Sequence, residues 1–499
     1  MPRNNIALHD PVRDFRDNCG FALLAHMDGE KSHWLVETTL HSLARLTHRG
    51  AVAADGKSGD GCGIMLQFPE QFLRELADDC GFRISERFAS GLVFFSPERS
   101  LIERGQEILT RHLSRFALDV KGWREVPTCP EVVGEQARSS MPAIYQVFVN
   151  APVGWRSHDI ERQLFAARRF AFEEERNLAD PDPLYYVVTL SNLTMVYKGL
   201  VQAEHLADFY PDLRDERMTS AIGICHQRFS TNTLPRWNYA QPFRYLAHNG
   251  EINSVNANRD WANARAGILR SPLLPSLDDL SHLVNQTGSD SSSLDNLLEV
   301  FLAGGMDVFR AMRLLMPPAI RDDMDPDLKA FLQFNSMHQE PWDGPAGVVS
   351  TNGRLACCNL DRNGLRPARY SITHDGVFTV ASETGVWDCP PERIKRRGRL
   401  GPGEMIAVDT ETGKFWKNGA IDDSLKATHA YREWMTENMV RVWNNDEQER
   451  KAANKFMRES SHRLPTYQKM FGLSAEEIDP IINCGWLEQF SDPYYYRSA

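Results

Sequence analysis

The chain has 499 residues, 42% of them apolar, and a formal net charge of -11. That acidity argues against wrapping a polyanion such as nucleic acid, and no apolar run approaches the roughly 20 residues a membrane-spanning helix needs. What is left is a globular protein with a sizeable core and small-molecule chemistry. Nine cysteines, scattered singly apart from Cys357-Cys358 and without a CxxC pair, fit neither a disulfide framework nor a zinc or iron–sulfur site. The leader, residues 1–18, carries Arg3, Asp10, Arg13, Asp14, Arg16 and Asp17, so it has neither the apolar segment of a secretory signal nor the acid-poor composition of a transit peptide. The expected location is the cytoplasm.

In chain order, residues 19–26 predict a strand. Ser32 follows as a helix N-cap, with Leu35, Val36, Leu40, Leu43 and Leu46 at helical spacing up to His48-Arg49-Gly50. A glycine-rich turn at 57–63 leads into a second strand at 64–68. Further strands are expected at 91–96, 143–150, 185–190, 194–199, 222–229 and 243–248, and helices near 101–116 and 158–177. The short turn at Ser191-Asn192 points to antiparallel pairing of its flanking strands. A helical block spans 253–338, with an N-cap around Asp290 to Ser293, and a second strand cluster runs from 347 to about 415. Two strand clusters with helices outside predict two packed sheets in a four-layer arrangement. Near residue 420 alternation gives way to helical periodicity at 431–443 and 446–457, so a boundary falls there.

Several residues carry possible chemistry. Cys19, in Asp17-Asn18-Cys19-Gly20-Phe21, enters the first strand behind the leader. Removing residues 1–18 puts a thiol and a free α-amine on one residue, with unperturbed pKa values of about 8.5 and about 7.7 to 8.0, so nucleophile and base come together. Taken alone, a cysteine entering a strand is more often a small buried hydrophobe. Arg228, in Cys225-His226-Gln227-Arg228, offers a guanidinium fork for a carboxylate, or is a structural arginine. Asn249-Gly250 supplies an amide donor and a closely approachable N–H, as an oxyanion hole requires, or an ordinary hairpin turn. Asp290, in Gly288-Ser289-Asp290-Ser291, reads as a helix cap whose second oxygen is available to an ammonium group. Arg49 is either loop surface or a ligand contact. His26, His33, His41, His48 and His226 lack metal-ligand spacing and are read as structural, and the basic run 393–399 as a solvated loop or a subunit contact.

Taken in order, the cysteine behind a removable leader, the HRG loop, QRFSTNT, AHNGEI and GSDSSSLD closely resemble the class II glutamine amidotransferase domain, of the N-terminal nucleophile type. With HRGAVAADGKSGDGCGI, the helical insert near 253–338 and DRNGLRPARY at 361–370, the chain resembles the large subunit of glutamate synthase over about residues 17–420. The resemblance implies an α+β, four-layer αββα sandwich of two mainly antiparallel sheets, the Ntn-hydrolase type. Its parts are a leader at 1–18, an amidotransferase domain at 19–420 and a helical C-terminal segment at 421–499 that begins the central region. It implies Cys19 as nucleophile, Asn249 and Gly250 as oxyanion donors, Arg228 and Asp290 on the α-carboxylate and α-ammonium of L-glutamine, and Arg49 closing over the substrate. The activity implied is hydrolysis of glutamine to glutamate and ammonia, destined for 2-oxoglutarate in a complete enzyme.

FMN and an iron–sulfur cluster are expected only in synthase domains this chain lacks, and no metal or cofactor is expected in the chain itself. Expected partners are glutamine and the synthase domains or a small subunit, with no nucleic acid or membrane. The alternatives are the glutaminase domain of another amidotransferase, or an inactive remnant or regulatory subunit that binds glutamine without turning it over.

Overall fold

A computed structural model of the chain describes residues 19–176, 184–228, 234–275, 280, 282–321 and 323–439, together with 466, 469 and 470. The chain divides into two units, one of residues 1–319 and 332–428 and the other of 320–331 and 429–499. The expected leader at 1–18, and the helices expected beyond residue 439, lie outside the described residues.

In the first unit the named strands pair antiparallel throughout. A seven-stranded sheet runs in the order Ile394–Arg399 (β14), Arg369–Thr373 (β12), Val377–Ala381 (β13), Gly20–His26 (β1), Ile222–Gln227 (β8), Cys62–Gln67 (β2) and Thr194–Gly199 (β7). β1 sits at its centre because GFALLAH is apolar almost throughout, a run that a strand covered on both faces can bury. A five-stranded sheet runs Lys414–Trp416 (β16), Met405–Asp409 (β15), Leu355–Leu360 (β11), Ala346–Thr351 (β10) and Leu246–Gly250 (β9), leaving β9 at its edge.

The His33–Ala44 helix covers one face of the first sheet, lying on β1, β2 and β8. Ser32 Oγ accepts the Leu35 N–H at 3.3 Å, as a cap does. Thr38, Thr39 and Ser42 turn their hydroxyls back to carbonyls four residues earlier, so these polar side chains are buried without orphaned donors. The other face of β1 and β8 packs on β9 and β10, and the Asn418–Lys426 helix packs on β15. The order is therefore helix, sheet, sheet, helix, the mixed architecture with antiparallel sheets expected from the sequence.

The strand assignments differ from the sequence expectation in three ways. Asp119–Glu125 (β4), Ala143–Asn150 (β5), Phe88–Phe95 (β3) and Tyr185–Val187 (β6) form a third sheet, ordered β4-β5-β3-β6. Its unexpected member, DVKGWRE, is half-exposed and carries no apolar run to announce it. The Ser191-Asn192 turn also joins no hairpin, because β6 lies in the third sheet and β7 in the first. Glu161 accepts the Ser191 hydroxyl at 2.8 Å and the Asn192 N–H at 2.6 Å, so a side chain satisfies the corner where the chain changes sheet. Finally, the second strand cluster does not form one sheet. β12, β13 and β14 cross over to flank β1, whose edge opposite β8 needs a partner, and the basic run 394–399 is the exposed edge strand β14 rather than a loop. Charged side chains there are a common means of protecting an open edge.

In the second unit, Tyr431–Asn438 is helical, and the Tyr431 ring meets Phe331 edge-on at 5.3 Å between centroids. Among the described residues no helix is long and apolar enough to cross a membrane, and no group of three or more His, Cys, Asp or Glu side chains is placed to hold a metal ion.

Candidate active site

Cys19 is half-buried and stands immediately before β1. The strand holds it from both sides: Gly20 lies opposite Gln227 of β8, and Phe21 exchanges backbone contacts with Ser382 beyond β13, through Ser382 Oγ at 3.1 Å and the Ser382 N–H at 3.1 Å. A Cβ on Gly20 would come 2.9 Å from Leu46 and 3.3 Å from Arg49 Cγ, so the Arg49 side chain crosses the strand mouth beside Cys19. Arg49 Nε is bonded to Glu383 Oε1, and His48 Nε2 lies 2.7 Å from the other oxygen of the same carboxylate. By contrast Cys62, Cys225, Cys357 and Cys358 are fully buried, and burial pushes their thiols up, Cys225 and Cys357 to about 12. These four are structural sulfurs.

Arg228 follows β8 and is 6% exposed. Its N–H donates to Gly61 O at 2.9 Å and its Nη1 to Asp60 O at 3.3 Å, so the glycine-rich turn before β2 holds its direction. Gly61 has φ +119, a backbone conformation that favours glycine. The guanidinium carbon lies 5.9 Å from the centre of the Tyr239 ring. Burial lowers its pKa, and the negative ends of Cys19, Asp60 and Asp290 oppose that lowering, which puts all three within electrostatic reach of one cation. The rest of the QRFSTNT motif, 229–233, lies outside the described residues.

Asn249 and Gly250 end β9. Asn249 Nδ2 donates to the Cys19 carbonyl at 2.5 Å. The direction of the Gly250 N–H follows from the ladder: Thr351 N donates to Tyr245 O and Glu251 N to Pro345 O, each at 2.9 Å, so odd-numbered residues of this segment turn their backbone groups toward β10. Even-numbered residues face the open edge. There Leu246 N–H is taken by Asp295 at 3.3 Å and His248 N–H by Gln241 at 2.7 Å, and the next N–H in line belongs to Gly250. Gly250 has φ +143, and a Cβ would stand 1.8 Å from Pro345 O, so no other residue fits.

Asp290 opens the Asp290–Ala303 helix but does not cap it. The N-cap is Ser289, whose side chain accepts the Ser292 N–H at 3.2 Å, one residue earlier than the sequence suggested. Asp290 Oδ1 accepts the Ser291 N–H at 2.7 Å and the Ser291 hydroxyl at 3.1 Å, while Oδ2 accepts the Ile252 N–H at 2.8 Å. Each carboxylate oxygen can accept about two hydrogen bonds, so Oδ2 retains capacity for an incoming cation.

The structure thus brings Cys19, Arg49, Arg228, Asn249, Gly250 and Asp290 to one end of the packed sheets: a thiol, two cations, a side-chain amide bonded to the Cys19 carbonyl, a backbone N–H at the sheet edge and a carboxylate. Sequence reasoning missed Glu383, which orients Arg49, and Tyr239, Gln241, His248 and Ser291, which surround Arg228 and Asp290. Glu383 gave no signal, because its partner lies 334 residues away. His248 sits inside AHNGEI and Ser291 inside GSDSSSLD, so adjacency to the named residues was the available clue.

The family model for glutamine amidotransferases class-II matches residues 19–434. Ferredoxin-dependent glutamate synthase 2 of Synechocystis sp. is 36% identical over 477 residues, covering 94% of this chain and 30% of that protein. The NADPH glutamate synthase large chains of Azospirillum brasilense and Bacillus subtilis are each 37% identical, over 478 and 481 residues, covering 94% of this chain and 31% of theirs. The chain therefore spans about 30% of the length of these relatives. A solved structure titled as the allosteric regulatory enzyme of purine biosynthesis shares 14% identity at a TM-score of 0.35, covering 79% of this chain and 47% of that one. With the profile spanning most of the described chain from Cys19 onward, this protein belongs to the class II glutamine amidotransferases.

Proposed function

We propose that this chain performs the glutaminase half-reaction of a glutamate synthase, hydrolysing L-glutamine to glutamate and ammonia at Cys19. The observation that carries this reading is the 2.5 Å hydrogen bond from Asn249 Nδ2 to the Cys19 carbonyl, with a buried arginine within electrostatic reach of Cys19 and Asp290. An amino-acid head group needs a cation and an anion, and a side-chain amide under attack needs a nucleophile and oxyanion donors. All are within one cluster.

Arg228 takes the α-carboxylate, Asp290 Oδ2 the α-ammonium, and Arg49, held by Glu383, closes the side of the site. The Cys19 α-amine, freed by removal of residues 1–18, accepts the thiol proton. The thiolate attacks the amide carbon, and Asn249 Nδ2 and the Gly250 N–H hold the oxyanion. The amine returns the proton to the leaving nitrogen, ammonia departs and a γ-glutamyl thioester remains. Water, deprotonated by the same amine, cleaves the thioester to glutamate and restores the thiol.

Ammonia then passes to 2-oxoglutarate in the longer enzyme or complex, in the cytoplasm, with flavin and iron–sulfur chemistry belonging to that remaining part. Purified chain supplied with glutamine alone is expected to release glutamate and ammonia in equal amounts, with intact mass beginning at Cys19. Cys19→Ala lowers release to background while the circular dichroism spectrum is retained. Undiminished release from Cys19→Ala, or an inert wild-type chain whose first residue is Cys19, overturns the proposal.

A further inference from the structure

The polar groups behind Asn249 and Asp290 form one connected chain. His248 is buried, and its Nδ1 lies 2.8 Å from Ser291 Oγ. Ser291 Oγ lies 3.1 Å from Asp290 Oδ1. A hydroxyl both donates one proton and accepts, and a neutral imidazole presents one donor and one acceptor, so Ser291 Oγ links the His248 ring to the carboxylate in either tautomer. Nε2 of His248 has no hydrogen-bond partner among the described residues, although the Pro345 carbonyl acts on the same ring.

Gln241 ties the same two residues a second time. Its Oε1 accepts the His248 N–H at 2.7 Å, and its Nε2 lies 3.3 Å from His248 O and 3.4 Å from Ser291 Oγ. The His248 backbone is continuous with Asn249 and Gly250, and Ser291 with Asp290. The donors at the amide end and the carboxylate at the head end are thus fastened together through three buried side chains. With both Ser291 bonds on Oδ1, Oδ2 is left to the Ile252 N–H at 2.8 Å, with His248 Nδ1 3.9 Å away.

We propose that His248, Ser291 and Gln241 are positioning residues that fix Asp290 Oδ2 relative to the Asn249–Gly250 donors and so make the site selective for amides bearing an α-ammonium group. This rests on the assignment of Asp290 to the substrate ammonium. A carboxylate released from this chain would turn back onto the free N–H groups of its own helix terminus, where an aspartate is ordinarily stable.

The test uses the full chain with L-glutamine and with glutaramate, the same amide lacking the α-amine, as alternative substrate and as competitor. Ser291→Ala is expected to lower the selectivity for glutamine over glutaramate about tenfold, through a higher KM for glutamine, and Ser291→Thr to restore it. His248→Leu lowers the same ratio, whereas His248→Asn, whose amide keeps a polar partner for Ser291 near the Nδ1 position, keeps it. If Ser291→Ala does not fold, the His248 pair carries the comparison. Asp290→Asn separates the two readings. Should it leave the ratio at the wild-type value, Asp290 does not meet the ammonium and the positioning role falls with it. Should it collapse the ratio while Ser291→Ala and His248→Leu leave it intact, the positioning role alone is overturned. Equal losses for both substrates, with a lowered thermal midpoint, also overturn it.

Discussion

Two buried polar regions lie at opposite ends of β9, and they are satisfied in different ways. At its start is a seam of ions: Arg168 and Arg244 both engage Glu299, the latter at 3.1 Å, and Asp295 accepts the N–H groups of Tyr245 and Leu246 at 2.8 and 3.3 Å. At its end are Asn249, whose buried Oδ1 has no partner among the described residues, and the Gly250 N–H turned to the open edge. In the seam, two guanidinium groups meet one shared carboxylate within the protein, although the buried Arg168 Nε has no partner among the described residues. At the other end, Asn249 Nδ2 bonds the Cys19 carbonyl while its Oδ1 has no partner among the described residues.

The largest effect that would sharpen this contrast is on stability. Glu299→Ala leaves two arginines buried without their shared partner and is expected to cost about 3 to 5 kcal/mol, read as a lowered urea midpoint. A loss below about 1 kcal/mol would break the comparison. Asn249→Ala should do the reverse, reducing kcat on the order of 10² to 10³, roughly 2.7 to 4 kcal/mol, with a thermal midpoint close to wild type. Steady-state kinetics beside a melting curve check both halves.

The pH response is the gentlest test, at no more than about 1.4 kcal/mol per pH unit for each group. Burial pushes Glu161 up to about 7 and Asp295 to about 6, so the folded chain binds these protons more tightly than the unfolded chain. Their contribution is complete below the ordinary carboxyl range of about 4 and is lost as pH rises through those values. His226, which bonds to His248 O at 3.0 Å, is lowered to about 3 by burial. There the unfolded chain takes the proton first, so stability is present above about 6.5 and lost as pH falls toward about 3. Urea midpoints across pH should show Glu161→Gln flattening the neutral side of the profile and His226→Gln the acid side.

The features legible in the sequence were local ones. A continuous apolar run announced β1, helical spacing after Ser32 announced the first helix, and Arg228, Asn249, Gly250 and Asp290 stood in compact motifs that the fold gathers together. What escaped depends on distant partners. β13 flanks β1 from residues 377–381, and no local pattern states that a hairpin there crosses into the first sheet. Glu383 is invisible without Arg49 beside it, and Asp119–Glu125 becomes a strand because β5 supplies its ladder, not because of its own composition. The cap at Ser289 was missed by one residue, since any of the adjacent Ser and Asp side chains satisfies the pattern and only the extended backbone at Ser289, with φ -66 and ψ 158, selects among them.

The placing of β1 between strands drawn from the middle and the end of the domain has a temporal meaning. Phe21 is fastened to Ser382 across 361 positions of sequence, so the sulfur emerges from the ribosome early and waits for nearly the whole domain to be translated before its cradle is complete. Closing so long a span is slow compared with folding a helical bundle of like size. A half-synthesised polypeptide consequently carries a thiol whose surroundings are not yet assembled.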